Sequence, residues 1–233
     1  MRIAGLQKLT LLDFPGHTAC TVFTAGCNLR CPFCHNSELV LPERTPPRLE
    51  EEAFFSFLSK RQGILEGVCV TGGEPLLQAN IAPFLQRIKA LGFAVKLDTN
   101  GCFPQKLRRL VEEGLVDYVA MDVKNSRERY GETVGLPDFD TEGVEESVAF
   151  LLSGAVDYEF RTTVTAQHHD EESLRSLAQW ISGARRYALQ SFRDSGDVLT
   201  GGLTPYPPSR MREFHALVTP FVGEALLRGT DEN

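Results

Sequence analysis

Six short runs rich in β-branched and aromatic residues alternate with six amphipathic stretches along this chain, and that alternation restricts the fold more than any other feature. The runs are Thr18–Ala25, Gly67–Gly72, Phe93–Thr99, Val116–Val123, Asp157–Val164 and Arg186–Phe192. Each is bounded by turn residues, as parallel strands covered on both faces are. Leu49–Arg61 puts Phe54, Phe57 and Leu58 on one helical face, and Ile81–Leu91 does the same with Ile81, Phe84, Leu85 and Ile88. Pro104–Glu113 opens with a proline suited to a first helical turn. Glu142–Leu152, Glu171–Ser182 and Pro207–Val218 complete the series. Six β-α units in succession predict a parallel, right-handed α/β architecture. The series is too short for an eight-stranded barrel. The expected fold is therefore a single-domain partial (β/α)6 barrel spanning residues 1–233, with its core at about 18–219; a doubly wound sheet is the alternative.

The balance of 24 Lys and Arg against 31 Asp and Glu gives a net charge of −7. Such a chain lacks the basic footprint that displaces counterions from phosphates, so no nucleic-acid partner is expected. The N-terminus does not read as a secretory signal, because Asp13 and Pro15 interrupt its short apolar stretch. No apolar run is long enough to span a bilayer. A cytoplasmic location follows as an expectation, and in that reducing setting six cysteines suggest metal chemistry sooner than disulfides. Cys20, Cys69 and Cys102 lie in or just after apolar runs and read as buried, inert thiols.

The other three cysteines stand close together in "GCNLRCPFCHN", where Cys27, Cys31 and Cys34 are spaced C-x3-C-x2-C. Three close thiolates suit zinc or an iron–sulfur cluster. A structural zinc site wants four protein ligands, and the fourth would have to be His35, His17 or a distant residue. A cubane cluster held by three cysteines instead leaves one iron open. "TGGEP" (Thr71–Pro75), "DTNG" (Asp98–Gly101) and "MDVKN" (Met121–Asn125) end the next three strands, and Arg161 lies in the fifth. In α/β barrels functional residues gather at these strand ends. Taken singly, each motif has a plainer reading. Gly-Gly often serves only a tight turn, and "DTNG" suits a turn with Asn100 or Gly101 at positive φ. Lys124 and Arg161 could each serve only a salt bridge. His168 and His169 read as a solvated loop pair, His35 as positioned by the cysteine loop without being a ligand, and Trp180 as helix packing.

Together the motifs resemble those of the radical S-adenosylmethionine superfamily, whose C-x3-C-x2-C has this spacing. The resemblance implies a single 4Fe–4S cluster on Cys27, Cys31 and Cys34, with the open iron chelated by the amino and carboxylate groups of S-adenosylmethionine. One electron then cleaves the sulfonium to methionine and a 5′-deoxyadenosyl radical. Phe33 would lie near the adenine, and the backbone of Gly72 and Gly73 or the side chain of Glu74 would receive the methionine ammonium. "DTNG" and "MDVK" resemble motifs of pyruvate formate-lyase activating enzyme, which implies ligand contacts for Asp98, Asn100 and Lys124. It also implies a monovalent cation beside Asp98, Thr99 and Asp122. Arg161 would pair with the methionine carboxylate through its planar fork. The histidine that the family often supplies from the sixth strand is absent from "ALQSFR", so that role is vacant or passes to Gln190 or Arg193.

"LLDFPGHTACTVFTAGCNLRCPFCHNSEL" is most similar to activating enzymes of glycyl radical proteins, and "DFPG" in a short chain resembles activating proteins of anaerobic ribonucleoside-triphosphate reductase. Between Cys34 and Gly72 only Cys69 occurs, so no second cluster is expected. The resemblance implies a glycyl radical enzyme as partner and a flavodoxin or ferredoxin-type reductant. A small-molecule enzyme such as a deazapurine carboxylate synthase is the second reading, and an iron–sulfur electron carrier the third. The loops Leu41–Arg48, Asn125–Phe139 and Ser195–Ser209 are expected to line a lateral opening for the partner.

Overall fold

The computed structural model describes residues 1–41, 44, 47–194 and 196–230. The chain divides into two compact units. Met1–Asn28, Glu38–Thr99 and Gln105–Ala120 form the first; Leu29–Ser37, Asn100–Pro104 and the chain from Met121 onward form the second.

In the first unit, β1 (Ile3–Thr10) pairs antiparallel with β2 (Ala19–Thr24), which pairs parallel with β3 (Gly67–Gly72), and β3 in turn with β4 (Ala94–Thr99). The Asp117 N–H donates to the Val95 carbonyl at 2.9 Å and leads into β5 (Tyr118–Asp122) beside β4. The short helix α1 (Ser37–Val40) precedes α2 (Glu51–Ser59) and α3 (Ile81–Ala90). The last two meet through Phe54, Phe55 and Phe84, whose ring centroids stand 5.1–5.4 Å apart. Each such ring contributes roughly 1.5–3 kcal/mol by leaving water. α4 (Pro104–Glu112) buries Leu107 and Leu110. Phe14 closes the core together with Cys69, Ala94, Tyr118 and Ala120. Gly67 makes room for it, since a Cβ there would lie 2.8 Å from the Phe14 ring.

The second unit holds the end of β5, then β6 (Asp157–Val164), β7 (Arg186–Ser191) and β8 (Glu224–Arg228), with β6, β7 and β8 parallel. The Val123 N–H donates to Arg161 O at 2.9 Å where the chain leaves β5. Its helices are α5 (Tyr130–Thr133), α6 (Glu142–Leu152), α7 (Glu171–Trp180) and α8 (Pro208–Val218). α7 starts at a capping box, with Asp170 accepting from the Ser173 N–H and Ser173 accepting from the Asp170 N–H. Tyr130 stacks on Phe139 and meets the edge of Trp180, so Trp180 does serve helix packing.

The architecture is α/β with a mostly parallel sheet, in the order β1-β2-β3-β4-β5-β6-β7-β8. The expected six-strand count is corrected to eight among the described residues. β1 escaped notice because Gln7, Lys8 and Leu9 are exposed and its pairing is interrupted between Ile3 and Gly5 and between Gln7 and Thr10, which erases any simple alternation. β8 is short and half-buried, and α5 is a single turn.

Asn125–Phe139, expected to line the opening, carries the single-turn helix α5 and mixes buried with exposed residues, Arg127, Glu128, Glu132, Pro137 and Asp138 being exposed. Asn125, Ser126, Tyr130, Thr133 and Val134 are buried, because Asn125 Nδ2 donates to Thr133 Oγ1 and His168 O at 2.8 and 2.7 Å. Part of Leu41–Arg48 lies outside the described residues, as does Ser195 in Ser195–Ser209. No helix among the described residues is long and apolar enough to cross a membrane.

Candidate active site

The first unit fixes the root of the cysteine loop through the two glycines that end β3. Gly72 has φ +119°, and a Cβ there would meet Thr24 N at 2.3 Å. A Cβ on Gly73 would lie 2.0 Å from the carbonyl oxygen of Gly26, the residue before Cys27. The Gly73 N–H donates to Thr24 O at 2.9 Å and the Glu74 N–H to Gly26 O at 2.8 Å. Only glycine allows backbones to approach this closely.

Glu74 is fully buried. Its Oε1 accepts from the Leu76 N–H and the Thr99 hydroxyl, both at 2.9 Å. The carboxylate thus caps the 3-10 turn Pro75–Leu77 and ties the end of β3 to the end of β4. On the face of β4 opposite to Thr99, Lys96 and Asp98 project together, and Lys96 Nζ pairs with Asp98 Oδ1. Nothing in the sequence singled out Lys96; the available signal was a lysine in a buried strand two residues before the candidate ligand Asp98.

The second unit carries Cys31, Phe33 and Cys34. The Cys34 N–H donates to Cys31 O at 3.0 Å, closing a turn, while the Arg30 N–H reaches Val134 O and the Thr200 N–H reaches Pro32 O, both at 3.0 Å. Gly135 presses on the same loop at φ +72°, where a Cβ would lie 2.4 Å from Arg30 O. Asn100 Oδ1 accepts from the Cys102 N–H at 3.1 Å and Gly101 sits at φ +78° beneath Met121, so "DTNG" does form the anticipated turn. Cys102 is half-buried, unlike the fully covered Cys20 and Cys69.

Lys124 donates to Asp122 Oδ2 and Arg161 Nε to Asp122 Oδ1, each at 2.9 Å. Burial pushes the Asp122 carboxyl up, but Arg161 and Lys124 outweigh it and hold the group well below the usual carboxylate range. Burial works against the Lys124 ammonium too, yet Asp122 and the neighbouring Cys31 thiol raise it above the ordinary lysine value. The Cys34 thiol is pushed up by burial and eased down by Lys124. A monovalent cation at Asp122 would compete with both of these side chains.

The solvated reading of His168 and His169 is corrected. His169 is 1% exposed, and both imidazoles lie beside Phe33 with ring centroids at 6.0 and 6.4 Å. The pair was misread because its burial depends on Phe33, far upstream in the chain. Both ring nitrogens of His168 are buried without a hydrogen-bond partner. The candidates from the sixth predicted strand fare differently: Arg193 donates to Gly229 O at 3.2 Å on the surface, and Gln190 is half-buried on β7 beside Thr163 and Arg228.

Within the first unit the structure therefore joins Gly72 and Gly73 to the backbone before Cys27, and Glu74 to Thr99 beside Asp98. Within the second it joins Cys31 and Cys34, and Asp122, Lys124 and Arg161. Among the described residues no group of three or more His, Cys, Asp or Glu side chains is arranged to hold a metal ion. Cluster ligands differ from the ligands of one ion, because each cysteine binds a different iron and the sulfurs need not converge on a point. The donor chemistry fits an iron–sulfur cluster: Cys27, Cys31 and Cys34 are not engaged in disulfides, and Lys124 favours the thiolate forms of Cys31 and Cys34.

The Radical SAM superfamily model matches residues 21–181. This chain belongs to the radical SAM superfamily. It is 29% identical over 236 residues to a Methanocaldococcus jannaschii protein, provisionally named a glycyl-radical enzyme activating enzyme, covering 97% of this chain and 95% of that one. It is 29% identical to the 7-carboxy-7-deazaguanine synthase of Koribacter versatilis, over 80% of this chain and 78% of that enzyme. Identity to the pyruvate formate-lyase-activating enzyme of Listeria monocytogenes is 34%, over 53% of each chain. Streptococcus suis SuiB, bound to its precursor peptide SuiA, shares the fold with a TM-score of 0.71 at 14% identity, over 90% of this chain and 48% of SuiB. Membership makes the protein a radical SAM enzyme, and the family implies a 4Fe–4S cluster and S-adenosylmethionine.

Proposed function

We propose that this radical SAM enzyme is an activase that installs a glycyl radical on a partner, an anaerobic ribonucleoside-triphosphate reductase. The observation that carries the activase reading is the extent of one match: the relative named for glycyl-radical enzyme activation aligns over 97% of this chain. The "DFPG" segment (Asp13–Gly16) and the lack of cysteine-rich insertion between Cys34 and Gly72 support the reductase as partner. In this reading the chain is one domain, a partial barrel, and a flavodoxin or ferredoxin-type protein supplies electrons.

When bound, the cluster supplies the electron that cleaves S-adenosylmethionine, so that the adenosyl fragment can take hydrogen from a glycine Cα. The chain's part is binding, orientation and exclusion of side reactions. Cys27, Cys31 and Cys34 hold the cluster, and Gly72 and Gly73 brace the loop before Cys27. Phe33 offers an apolar face to the adenine. Asp98, Asn100, Lys124 and Arg161 bind the polar parts of the ligand, Arg161 taking the methionine carboxylate. Asp98, Thr99 and Asp122 are the candidate cation ligands, Asp122 only as the alternative to its grip on Lys124 and Arg161. Buried Glu74 acts chiefly by holding its own turn and Thr99, which leaves the adjacent backbone to meet the ammonium.

The match to 7-carboxy-7-deazaguanine synthase over 80% of this chain favours a small-molecule enzyme as the second reading. One anaerobic experiment separates the two. Reduced holoprotein, S-adenosylmethionine and the candidate reductase are mixed and examined by electron paramagnetic resonance. A glycyl doublet that requires both Cys27 and the partner's glycine supports the activase. Cofactor cleavage with turnover of a deazapurine precursor, and no doublet, replaces it with the second reading.

A further inference from the structure

β4 carries a charge at a depth where the fold has no need of one. Lys96 is 2% exposed. Strand register sets it beside Cys69 of β3, which in turn stands beside Thr21 of β2. Cys69 is itself buried and its thiol is pushed up to about 12 by that burial, so it stays neutral and gives Lys96 no counter-charge. Asp13, which faces the same row, accepts from Thr21 Oγ1 at 2.6 Å. The ion pair of Lys96 is with Asp98, whose side chain keeps 15% of its surface exposed. Lys96 and Asp98 are two positions apart on one strand, so both project from the same face and the pair needs no tertiary rearrangement to form.

Taking a lysine and an aspartate out of water is costly, and a well-packed apolar pair of similar volume commonly serves a fold as well or better. The arrangement does serve Asp98. A carboxylate at the end of a buried strand is disfavoured by desolvation unless a cation faces it. Lys96 approaches from the covered side and pairs with Oδ1, which restrains the carboxylate at the exposed end of the strand.

We infer that Lys96 is a positioning residue for the S-adenosylmethionine site, acting through Asp98 by holding its carboxylate in place at the exposed end of β4. It rests on the reading that Asp98 binds the cofactor. Lys96 itself touches no ligand. Its action therefore disappears once Asp98 has been neutralised.

The test is a double-mutant cycle on reconstituted holoprotein, read by equilibrium dialysis of S-adenosylmethionine, with iron content and melting temperature measured alongside. Loss of one charge-assisted hydrogen bond corresponds to about tenfold or more in affinity. Lys96→Met should weaken binding by about that factor with full iron retention, and Lys96→Arg should restore most of it. Asp98→Asn should bind as weakly as the Lys96→Met/Asp98→Asn double variant. A further loss of about tenfold in the double variant means Lys96 acts independently of Asp98 and overturns the inference. Should Lys96→Met alone fail to fold, the comparison of Asp98→Asn with the double variant still decides, because the double removes both buried charges together. Wild-type affinity in Asp98→Asn sinks the underlying site assignment; reduced affinity there with unchanged affinity in Lys96→Met sinks the role of Lys96 alone.

Discussion

The His169 imidazole donates its Nε2 proton to the backbone carbonyl of Lys124 at 2.8 Å, linking the turn before α7 to the strand end that carries Asp122 and Lys124. Its Nδ1 accepts from the Thr165 N–H at 3.2 Å, which fixes the neutral tautomer. Burial lowers the histidine from 6.5 to about 4. Protonation of Nδ1 would also set a donor against the Thr165 N–H.

That depression predicts an acid-sensitive fold. Between about pH 6.5 and 4 the unfolded chain binds a proton that the folded chain refuses, so stability falls as pH falls through this window and is fully retained above it. The loss reaches up to about 3 kcal/mol. Urea titrations from pH 4 to 7 check this. His169→Gln should be less stable at pH 7 but show a shallower slope across the window, by about one proton. An unchanged slope would mean another group governs acid unfolding.

Gly73→Ala tests the brace beneath the cysteine loop. Its Cβ would lie 2.0 Å from Gly26 O, so backbone must shift, at a cost of about 1–3 kcal/mol, and the shift falls next to Cys27. Reduced iron retention after anaerobic reconstitution is expected. Gly92→Ala is the control: Gly92 has φ +88° with nothing within 4 Å of a Cβ, so it should lose roughly 1 kcal/mol and keep its iron. Equal iron in the two variants would remove the brace from the account.

Five of the six cysteines should divide into two classes under the same assay. Cys20 and Cys69 are buried and their thiols are pushed up to about 12, so neither supplies a thiolate near neutral pH. Cys20→Ala and Cys69→Ala should lose about 1 kcal/mol or more of stability through lost packing and retain the cluster. Alanine at Cys27, Cys31 or Cys34 should abolish retention. A fully loaded Cys31→Ala protein would be fatal to the ligand assignment.

What could be seen in advance follows the range of the forces involved. Gly67–Gly72, Asp157–Val164 and Glu142–Leu152 match their observed bounds residue for residue, because burial on both faces or a single apolar helical stripe is written locally. The positions of "GGE", "DTNG" and "MDVK" at strand ends were legible for the same reason. Edge strand β1 was not, since its exposed Gln7, Lys8 and Leu9 carry no periodic signal. The histidine pair was not, since Phe33 covers it from a distant loop. Lys96 escaped because a lysine in a strand normally signals a solvated face, and only the neighbouring strands reveal that this face is covered. The double role of Asp122, gripped by Lys124 and Arg161 at once, likewise depends on β5 and β6 lying side by side.

That grip leads to the last prediction. Arg161 Nε and Lys124 Nζ bind opposite oxygens of Asp122, so the two cations stand near each other with one carboxylate between them, and the set carries a net positive charge. Such a set attracts a ligand carboxylate. Arg161→Ala should weaken S-adenosylmethionine binding by roughly ten- to more than a hundredfold while the visible absorption of the cluster is unchanged. Arg161→Lys keeps the charge but loses the planar fork, so recovery should be partial. Asp122→Asn should act in the opposite sense on binding. It leaves two cations without their anion, which costs about 1–3 kcal/mol of stability, yet the incoming carboxylate can then take the vacated role and affinity should hold or rise. Calorimetric titration of the three reconstituted variants distinguishes this from a cation site. If Asp122→Asn abolishes binding while Arg161→Ala binds normally, Asp122 serves a metal cation and Arg161 serves only the fold.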